Sequence, residues 1–167
     1  MKEFIHLHNH THYSLLDAIC TVDGLVNAAA ENKMPAVAIT DHGVMYGAME
    51  FYNKCKSKGI KPILGFEAYV AQGSSRFDKT KRSDYAADVI DTENSDGLSV
   101  TNINYAHLIL LAKNETGYRN LLKLNSIGHL EGFYYKPRID LEVLEKYKEG
   151  IIALSACAGG VISCYIV

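Results

Sequence analysis

Histidine and carboxylate side chains cluster in three short blocks of the chain: HLHNHTHYSLLD (residues 6–17), AITDHG (38–43) and LGFEAYV (64–70). Imidazole and carboxylate groups together are typical ligands of zinc, manganese and iron. The candidates in these blocks are His8, His10, Asp17, Asp41, His42 and Glu67. So many mixed nitrogen and oxygen ligands usually bind more than one ion, and clustered ions hydrolyse phosphoesters. We therefore expect a multinuclear metal site that acts on a phosphoester.

The spacing of these residues favours some ligands over others. Residues two apart in an extended strand face the same side, so His8 and His10 form the best histidine pair. His42 follows the buried strand AVAIT, where an imidazole costs desolvation energy unless it is paired or bound to metal. Glu67 lies in an otherwise apolar strand and needs a partner, for which a metal is the simplest choice. Asp41 could bind metal or orient a histidine.

Other candidates stay open on the residues alone. Asp17 precedes a predicted helix and is as well explained by a helix cap as by a metal ligand. His12 lies in a predicted loop, either solvated or near the substrate. His107 opens the apolar strand HLILLA, where a core histidine is the usual interpretation. Cys157 follows the strand IIALSA; a thiolate binds zinc well, but by itself this residue is better explained as a buried thiol.

The elements that must position these residues alternate between strand and helix patterns. The predicted strands are Phe4–His8, Ala36–Thr40, Ile60–Ala71, Ala106–Ala112 and Gly150–Ser155, and the predicted helices are Val22–Asn32 (with Thr21 as N-cap), Gly47–Lys58, Glu115–His129 and Leu141–Tyr147. This alternation indicates an α/β fold with a largely parallel sheet, open or closed into a barrel. Loops at the carboxyl ends of the strands build the site in such folds.

Composition narrows the class of protein. The 167 residues suit one domain, and the net charge of −2 argues against a free-standing duplex binder, although it allows a nucleic-acid substrate held by metal ions. Since no apolar run is long enough to span a membrane and no signal peptide is evident, we expect a cytoplasmic protein. Residues 72–104 are polar and aperiodic, which predicts an inserted surface loop. A basic patch in this segment could hold nucleic-acid phosphates, although a solvated loop is favoured; it consists of Arg76, Lys79, Lys81 and Arg82. Arg138 could steer an anion or form an ion pair.

The longer motifs resemble a known family. HLHNHTHYSLLDA, AITDHGVMYG, GFEAYVA, SSRFD, AHLILLAKNETGYRNLLKL, GFYYKPRID and EGIIALSACAGG look like the N-terminal polymerase-and-histidinol-phosphatase (PHP) domain of bacterial DNA polymerase III alpha subunits. The resemblance implies a distorted (β/α)7 barrel and up to three divalent ions, zinc or manganese with iron as a further option. It places the ligands on His8, His10, Asp17, His42, Glu67, His107 and Cys157. Asp41 then orients a ligand, or is a ligand only in relatives, and in the hydrolysis His12 or Asp41 could carry a proton.

The resemblance also implies a function and its alternatives. The leading expectation is phosphodiester hydrolysis like that of a 3′→5′ proofreading exonuclease, acting on DNA within a replicative polymerase. The alternative is a metal-stabilised scaffold that docks a separate proofreading exonuclease or other replisome subunits, and a free-standing PHP phosphatase is less favoured. The family completes its site with an Asp-x-His pair that residues 1–167 do not supply. We therefore expect these residues to be the N-terminal portion of a PHP domain, without its final barrel strands and the polymerase domains.

Overall fold

A computed structural model describes residues 4–72, 75–80 and 104–163 of the chain. Its helices and strands follow one another in the order α1 (Val22–Glu31), β1 (Ala36–Ile39), α2 (Ala48–Ser57), β2 (Lys61–Val70), β3 (Ala106–Ala112), α3 (Glu115–Leu130), β4 (Phe133–Tyr134), β5 (Lys136–Ile139), α4 (Leu141–Lys146) and β6 (Ile151–Leu154). The architecture is mixed α/β, as expected. Among the described residues, no helix is both long and apolar enough to cross a membrane.

Strand β2 is the centre of the sheet. Its first half pairs with β1 and its last two residues pair with β5, both in parallel. Its other edge pairs along most of its length with β3, which runs antiparallel and in turn pairs antiparallel with β6. Strand β4 joins β5 through a one-residue turn at Tyr135. The described sheet therefore has the order β4-β5-β2-β3-β6, with β1 on the remaining part of β2.

The expectation of a largely parallel sheet is wrong for the described strands, since three of their five pairings are antiparallel. The register gives the reason. Val70, which ends β2, pairs with Ala106, which begins β3, so the chain re-enters the sheet where it left and must run back. A parallel neighbour would require a crossover to the opposite end of the sheet. The one-residue turn before β5 likewise permits only an antiparallel pair.

Two apolar clusters hold the helices against the sheet. Helices α1 and α2 pack on β1 through buried side chains that include Val26, Val37 and Phe51. Helix α3 packs on β2, β3 and β5 through Leu121 and Leu124. These contacts bury apolar surface, which is the main favourable free energy of folding. Strands β1, β2 and β3 are thereby held against the helices. Of the candidate metal ligands, His42 lies just beyond β1, Glu67 on β2 and His107 near the start of β3.

Most predicted elements are confirmed to within a residue or two, and their caps show why. Thr21 accepts a hydrogen bond from the Gly24 amide at the start of α1, as predicted. The Asn114 and Asp140 side chains cap α3 and α4 in the same way. Strands β4 and β5 were not predicted. Runs of two and four residues carry too little hydrophobic periodicity to be recognised as strands from the sequence.

The predicted strand Phe4–His8 is wrong in its regularity. The residues around it run beside β1, where the Ala38 amide donates to the His6 carbonyl and the Thr40 amide to the Asn9 carbonyl. Between these two hydrogen bonds the N-terminal segment advances three residues, from His6 to Asn9, while β1 advances two. This mismatch prevents a regular ladder of strand hydrogen bonds. The Asn9 side chain repairs the gap by donating to the His6 and Ala38 carbonyl oxygens.

The polar segment 72–104 was predicted as an inserted loop, and residues 73–74 and 81–103 of it lie outside the described part of the chain. The described part contradicts the solvated placement of Arg76, which is 8% exposed and forms ion pairs with Asp140 and Glu131. Arg138 is 1% exposed and donates to the backbone carbonyl oxygens of Gly132, Arg76 and Asp78. Both guanidinium groups therefore join the segment to β5 instead of facing a phosphate.

Candidate metal centre

Glu67 is the centre of the candidate site. Its side chain is 1% exposed, and four imidazoles surround its carboxylate. The oxygen Oε2 lies 3.2 Å from His8 Nε2, 3.0 Å from His10 Nε2 and 3.1 Å from His42 Nδ1. The other oxygen, Oε1, lies 3.1 Å from His107 Nδ1. A buried carboxylate inside a ring of imidazoles has the composition of a metal site.

The sheet brings these side chains together from distant parts of the sequence. The Glu67 amide donates to the Asp41 carbonyl, and the Gly43 amide donates to the Glu67 carbonyl, so the segment after β1 stays paired to β2. This pairing places His42 beside Glu67. On the other edge of β2, Tyr69 pairs with His107 of β3. Tyr69 is two residues after Glu67, so both lie on the same face of β2, and His107 faces the same side.

Asp17 extends the cluster on its solvent side. Its Oδ2 lies 3.3 Å from His42 Nε2 and 4.0 Å from His10 Nδ1, and its side chain is 54% exposed. Since α1 begins at Val22 with Thr21 as its cap, Asp17 caps no helix there. Three overlapping triplets of ligand atoms result: His8, His10 and Glu67; His10, Asp17 and His42; and His42, Glu67 and His107.

Cys157 lies at the edge of the cluster. Its Sγ is 3.6 Å from His107 Nδ1, but it belongs to none of the three triplets. The loop after β6 is fixed to β3 because the His107 amide donates to the Gly159 carbonyl and the Val161 amide donates to the His107 carbonyl. The structure thus brings the thiol next to one histidine of the cluster.

Asp41 is a buried anchor of the loop that carries His8, His10 and Asp17, here called the histidine loop. Its carboxylate is 1% exposed and accepts hydrogen bonds from the Thr11 amide (2.6 Å), the Thr11 hydroxyl (2.8 Å) and the Ser14 hydroxyl (2.7 Å). The Ser14 oxygen in turn accepts from the His42 amide and lies 3.2 Å from His10 Nδ1. Asp41 is therefore linked to two candidate ligands through Ser14.

Sequence reasoning did not single out Thr11 or Ser14. Both are buried, and both hold the loop that carries His8, His10 and Asp17. The only available signal was the presence of two hydroxyl residues between metal-ligand types. His12, the other candidate proton carrier, has its ring packed on Tyr13 at 4.4 Å between centroids, and its amide donates to the Cys20 carbonyl.

The charge distribution follows from burial and contact. Burial opposes ionisation of Glu67, but the contacts with His10, His107 and His42 outweigh it and hold the pKa of the carboxyl well below its usual range. Burial also disfavours the charged form of His10, yet its contact with Glu67 raises its pKa. His42 has a lowered pKa because burial and the neighbouring His10 and His107 outweigh the attraction of Glu67.

The cluster also contains buried polar atoms without a hydrogen bond. Within the described residues, Nδ1 of His42 and Oε1 of Glu67 make no hydrogen bond of acceptable geometry, and neither does Nδ1 of His12. Such atoms are rare because each costs free energy when it is left unpaired. A cation bound by His42 and Glu67 would satisfy both. The imidazole and carboxylate donors fit zinc or manganese, and the neighbouring sulfur of Cys157 would favour zinc, so the residues present suit the expected ions.

Comparison with known proteins gives this arrangement a family context. A family model described as PHP domain matches residues 6–167. The DNA polymerase III subunit alpha of Borreliella burgdorferi is 50% identical over 96% of this chain, and that of Aquifex aeolicus is 49% identical over 98%. The chain spans only 12% and 13% of those two relatives. Among solved structures, a candidate metal-dependent phosphoesterase from Bifidobacterium adolescentis has a TM-score of 0.44 at 18% identity, covering 77% of this chain and 35% of its own.

Proposed function

This chain belongs to the PHP domain family, and from that premise we propose that it is a metal-dependent phosphodiesterase domain of a bacterial replicative DNA polymerase. One observation carries the proposal: Glu67 is buried and has four imidazoles within 3.2 Å of its carboxylate oxygens. A domain that binds no metal has no need to bury a carboxylate among histidines, because such a group costs desolvation energy. The observation therefore supports a metal site, and hydrolytic activity separates a catalytic metal from a structural one.

Seven side chains would hold the ions: His8, His10, Asp17, His42, Glu67, His107 and Cys157. Zinc or manganese bound here would neutralise charge on a phosphate and lower the pKa of a water molecule. Glu67 has the central position because its two oxygens face different histidines. Asp17, which is half exposed, lies on the side from which a substrate phosphate can approach.

Two further residues would assist the hydrolysis. Asp41 is a positioning residue, since its carboxylate is occupied by Thr11 and Ser14 and is buried from solvent. Because the Asp41 carboxylate is buried and occupied by these hydrogen bonds, we propose His12 and not Asp41 as the proton carrier. The His12 ring has a buried Nδ1 without a hydrogen bond in the described residues, and we propose that this imidazole holds or moves a proton beside the phosphate.

The relatives suggest the substrate. Both are DNA polymerase III alpha subunits, so we propose that the phosphodiester belongs to the 3′ end of a DNA strand. Removal of a 3′ nucleotide would be a proofreading step during replication. The alternative is a metal-stabilised scaffold for a separate proofreading exonuclease or another replisome subunit, and hydrolytic activity separates the two.

The test measures metal content and hydrolysis on the same preparation, purified without chelator or histidine tag. Glu67→Gln removes the central charge while keeping the side-chain shape, and the exposed Glu149→Gln is the matched control. We expect multiple equivalents of zinc, manganese or iron in the wild-type chain and release of 3′ nucleotides from a labelled oligonucleotide. Glu67→Gln should lose both properties, whereas the control should keep them.

Each other outcome decides against part of the proposal. Bound metal without hydrolysis would favour the scaffold when it is also found in a longer chain that supplies the Asp-x-His pair. A longer chain that binds no metal would overturn the metal centre itself. Hydrolysis that persists in Glu67→Gln would come from a contaminating nuclease or from another site.

A further inference from the structure

The β4-β5 hairpin exposes aromatic side chains that the core does not use. Phe133 is 52% exposed and Tyr135 is 66% exposed, and the exposed Lys136 follows directly. We propose that this hairpin, residues 133–136, binds unpaired bases of a single-stranded nucleic acid next to the metal centre. The inference rests on the proposed function and adds the substrate conformation that the site would select.

Contacts with the buried Arg138 hold the hairpin in place, which suits a surface for stacking. Tyr135 has a φ of 58°, a left-handed conformation that is unfavourable for a residue other than glycine. Its ring contacts Tyr134 edge-on at 4.7 Å, and the Arg138 guanidinium lies over the Tyr134 ring at 5.2 Å. The buried Arg138 also donates to the Gly132 carbonyl at the base of the hairpin. Residues in strained backbone conformations cluster at functional sites.

The hairpin adjoins the metal centre through Tyr69 and His129. Lys136 Nζ lies 5.4 Å from the centroid of the Tyr69 ring, and that ring stacks on His42 with 5.9 Å between centroids. On the other side of the hairpin, His129 contacts both the Phe133 ring and the Gly43 carbonyl. The hairpin and the loop that carries His42 are therefore neighbours. A strand whose phosphate is at the centre can continue across the hairpin.

The chemistry of the hairpin selects the ligand. Exposed aromatic rings beside a cation are the standard surface for single strands, because every base has a face that can stack and every nucleotide carries a phosphate. Bases in a duplex are already stacked on one another and are not available. The chain has a net charge of −2, so non-specific electrostatic attraction to DNA is small and stacking must supply much of the affinity. Glu131 at the base of the hairpin does not oppose binding, since it is paired with Arg76.

The experiment compares two fluorescent strands of about ten nucleotides, one of thymidine and one made of abasic sites with the same phosphates. Binding is measured by fluorescence anisotropy in calcium, so that the strand is not consumed. Tyr135→Gly removes the ring and also relieves the left-handed backbone, which protects the fold. Phe133→Ala is the second variant. Tyr52→Ala is the matched control, because Tyr52 is a 41% exposed aromatic of α2 outside the hairpin.

We expect Tyr135→Gly and Phe133→Ala each to weaken binding of the thymidine strand by about fivefold or more. Binding of the abasic strand should not change, and Tyr52→Ala should bind both strands like the wild-type chain. Metal content reports separately on the centre and should equal the wild-type value in both hairpin variants.

The results distinguish this inference from the proposed function. Equal affinity of the wild-type chain for the two strands, no binding of either strand, or hairpin variants that bind like wild type would overturn the hairpin inference, even if the chain hydrolyses DNA. A chain that binds the thymidine strand through the hairpin but hydrolyses no phosphodiester would support the hairpin inference and refute the hydrolytic function.

Discussion

Replacing Asp41 tests whether its buried carboxylate holds the histidine loop in place. Asp41 contributes no atom to the three ligand triplets, yet its carboxylate accepts three buried hydrogen bonds from Thr11 and Ser14. Asp41→Ala leaves all three donors without a partner in a buried position. Each hydrogen bond to a charged group contributes about 1.5–3 kcal/mol, and the three are not additive, so we expect a loss of about 4 kcal/mol.

Asp41→Asn is the informative companion. The asparagine oxygen can still accept from the Thr11 amide and the Ser14 hydroxyl, which both bond to Oδ1. Its amide nitrogen would face the Thr11 hydroxyl, which must turn from donor to acceptor. Because two of three bonds survive without their charge, we expect a loss of about 1–2 kcal/mol. Metal affinity should fall in the same order, since Ser14 contacts His10 and the His42 amide.

Urea unfolding of the metal-free chain gives the free energies, and titration with zinc or manganese gives the affinities. The control is Asp23→Ala, which removes an exposed carboxylate paired with Lys54 and should cost less than about 1 kcal/mol. A loss below about 1 kcal/mol for Asp41→Ala would refute the anchoring role. Full stability and metal affinity in Asp41→Asn, combined with lost hydrolysis, would instead restore Asp41 as a proton carrier.

Three other predictions concern metal, packing and thiol chemistry. Removing metal with a chelator should lower the melting temperature by about 5–11 °C, because ligand at about 100 times its Kd contributes about 2.7 kcal/mol; an unchanged melting curve, with and without added manganese, would contradict a bound cation. Gly117→Ala should cost about 3 kcal/mol in urea unfolding, since the added methyl group would overlap the carbonyl oxygen of Gly150, and wild-type stability would show that α3 can move. Burial raises the pKa of the Cys55 thiol to about 11, so at pH 8 iodoacetamide should modify it about a hundredfold more slowly than the exposed Cys20. Mass spectrometry of the peptides measures both rates, and equal labelling would place Cys55 outside the core.

The helices and most strands could be predicted because their signals are local. Thr21 precedes an amphipathic run and caps it, and the apolar run from Ala106 to Ala112 is long enough to be a strand under any topology. Strands β4 and β5 could not be found in this way, because a pair joined by one residue in a left-handed conformation depends on the tertiary contacts of Arg138.

Part of the candidate site could likewise be predicted from the sequence, and part could not. The sequence by itself determined which residue types stand at the ends of apolar strands, and so it identified His8, His10, His42 and Glu67 as candidates for metal chemistry. The reason is that burying an imidazole or a carboxylate is costly without a partner, so their positions in apolar runs are informative.

Only the tertiary structure decided which groups meet. It placed Asp17 beside His42, Cys157 beside His107, and Asp41 beneath the loop as an anchor. It also turned Arg76 inward to an ion pair with an aspartate 64 residues away. Such contacts depend on strand order and direction, which follow from how the sheet closes over many residues, and no local pattern of side chains encodes that.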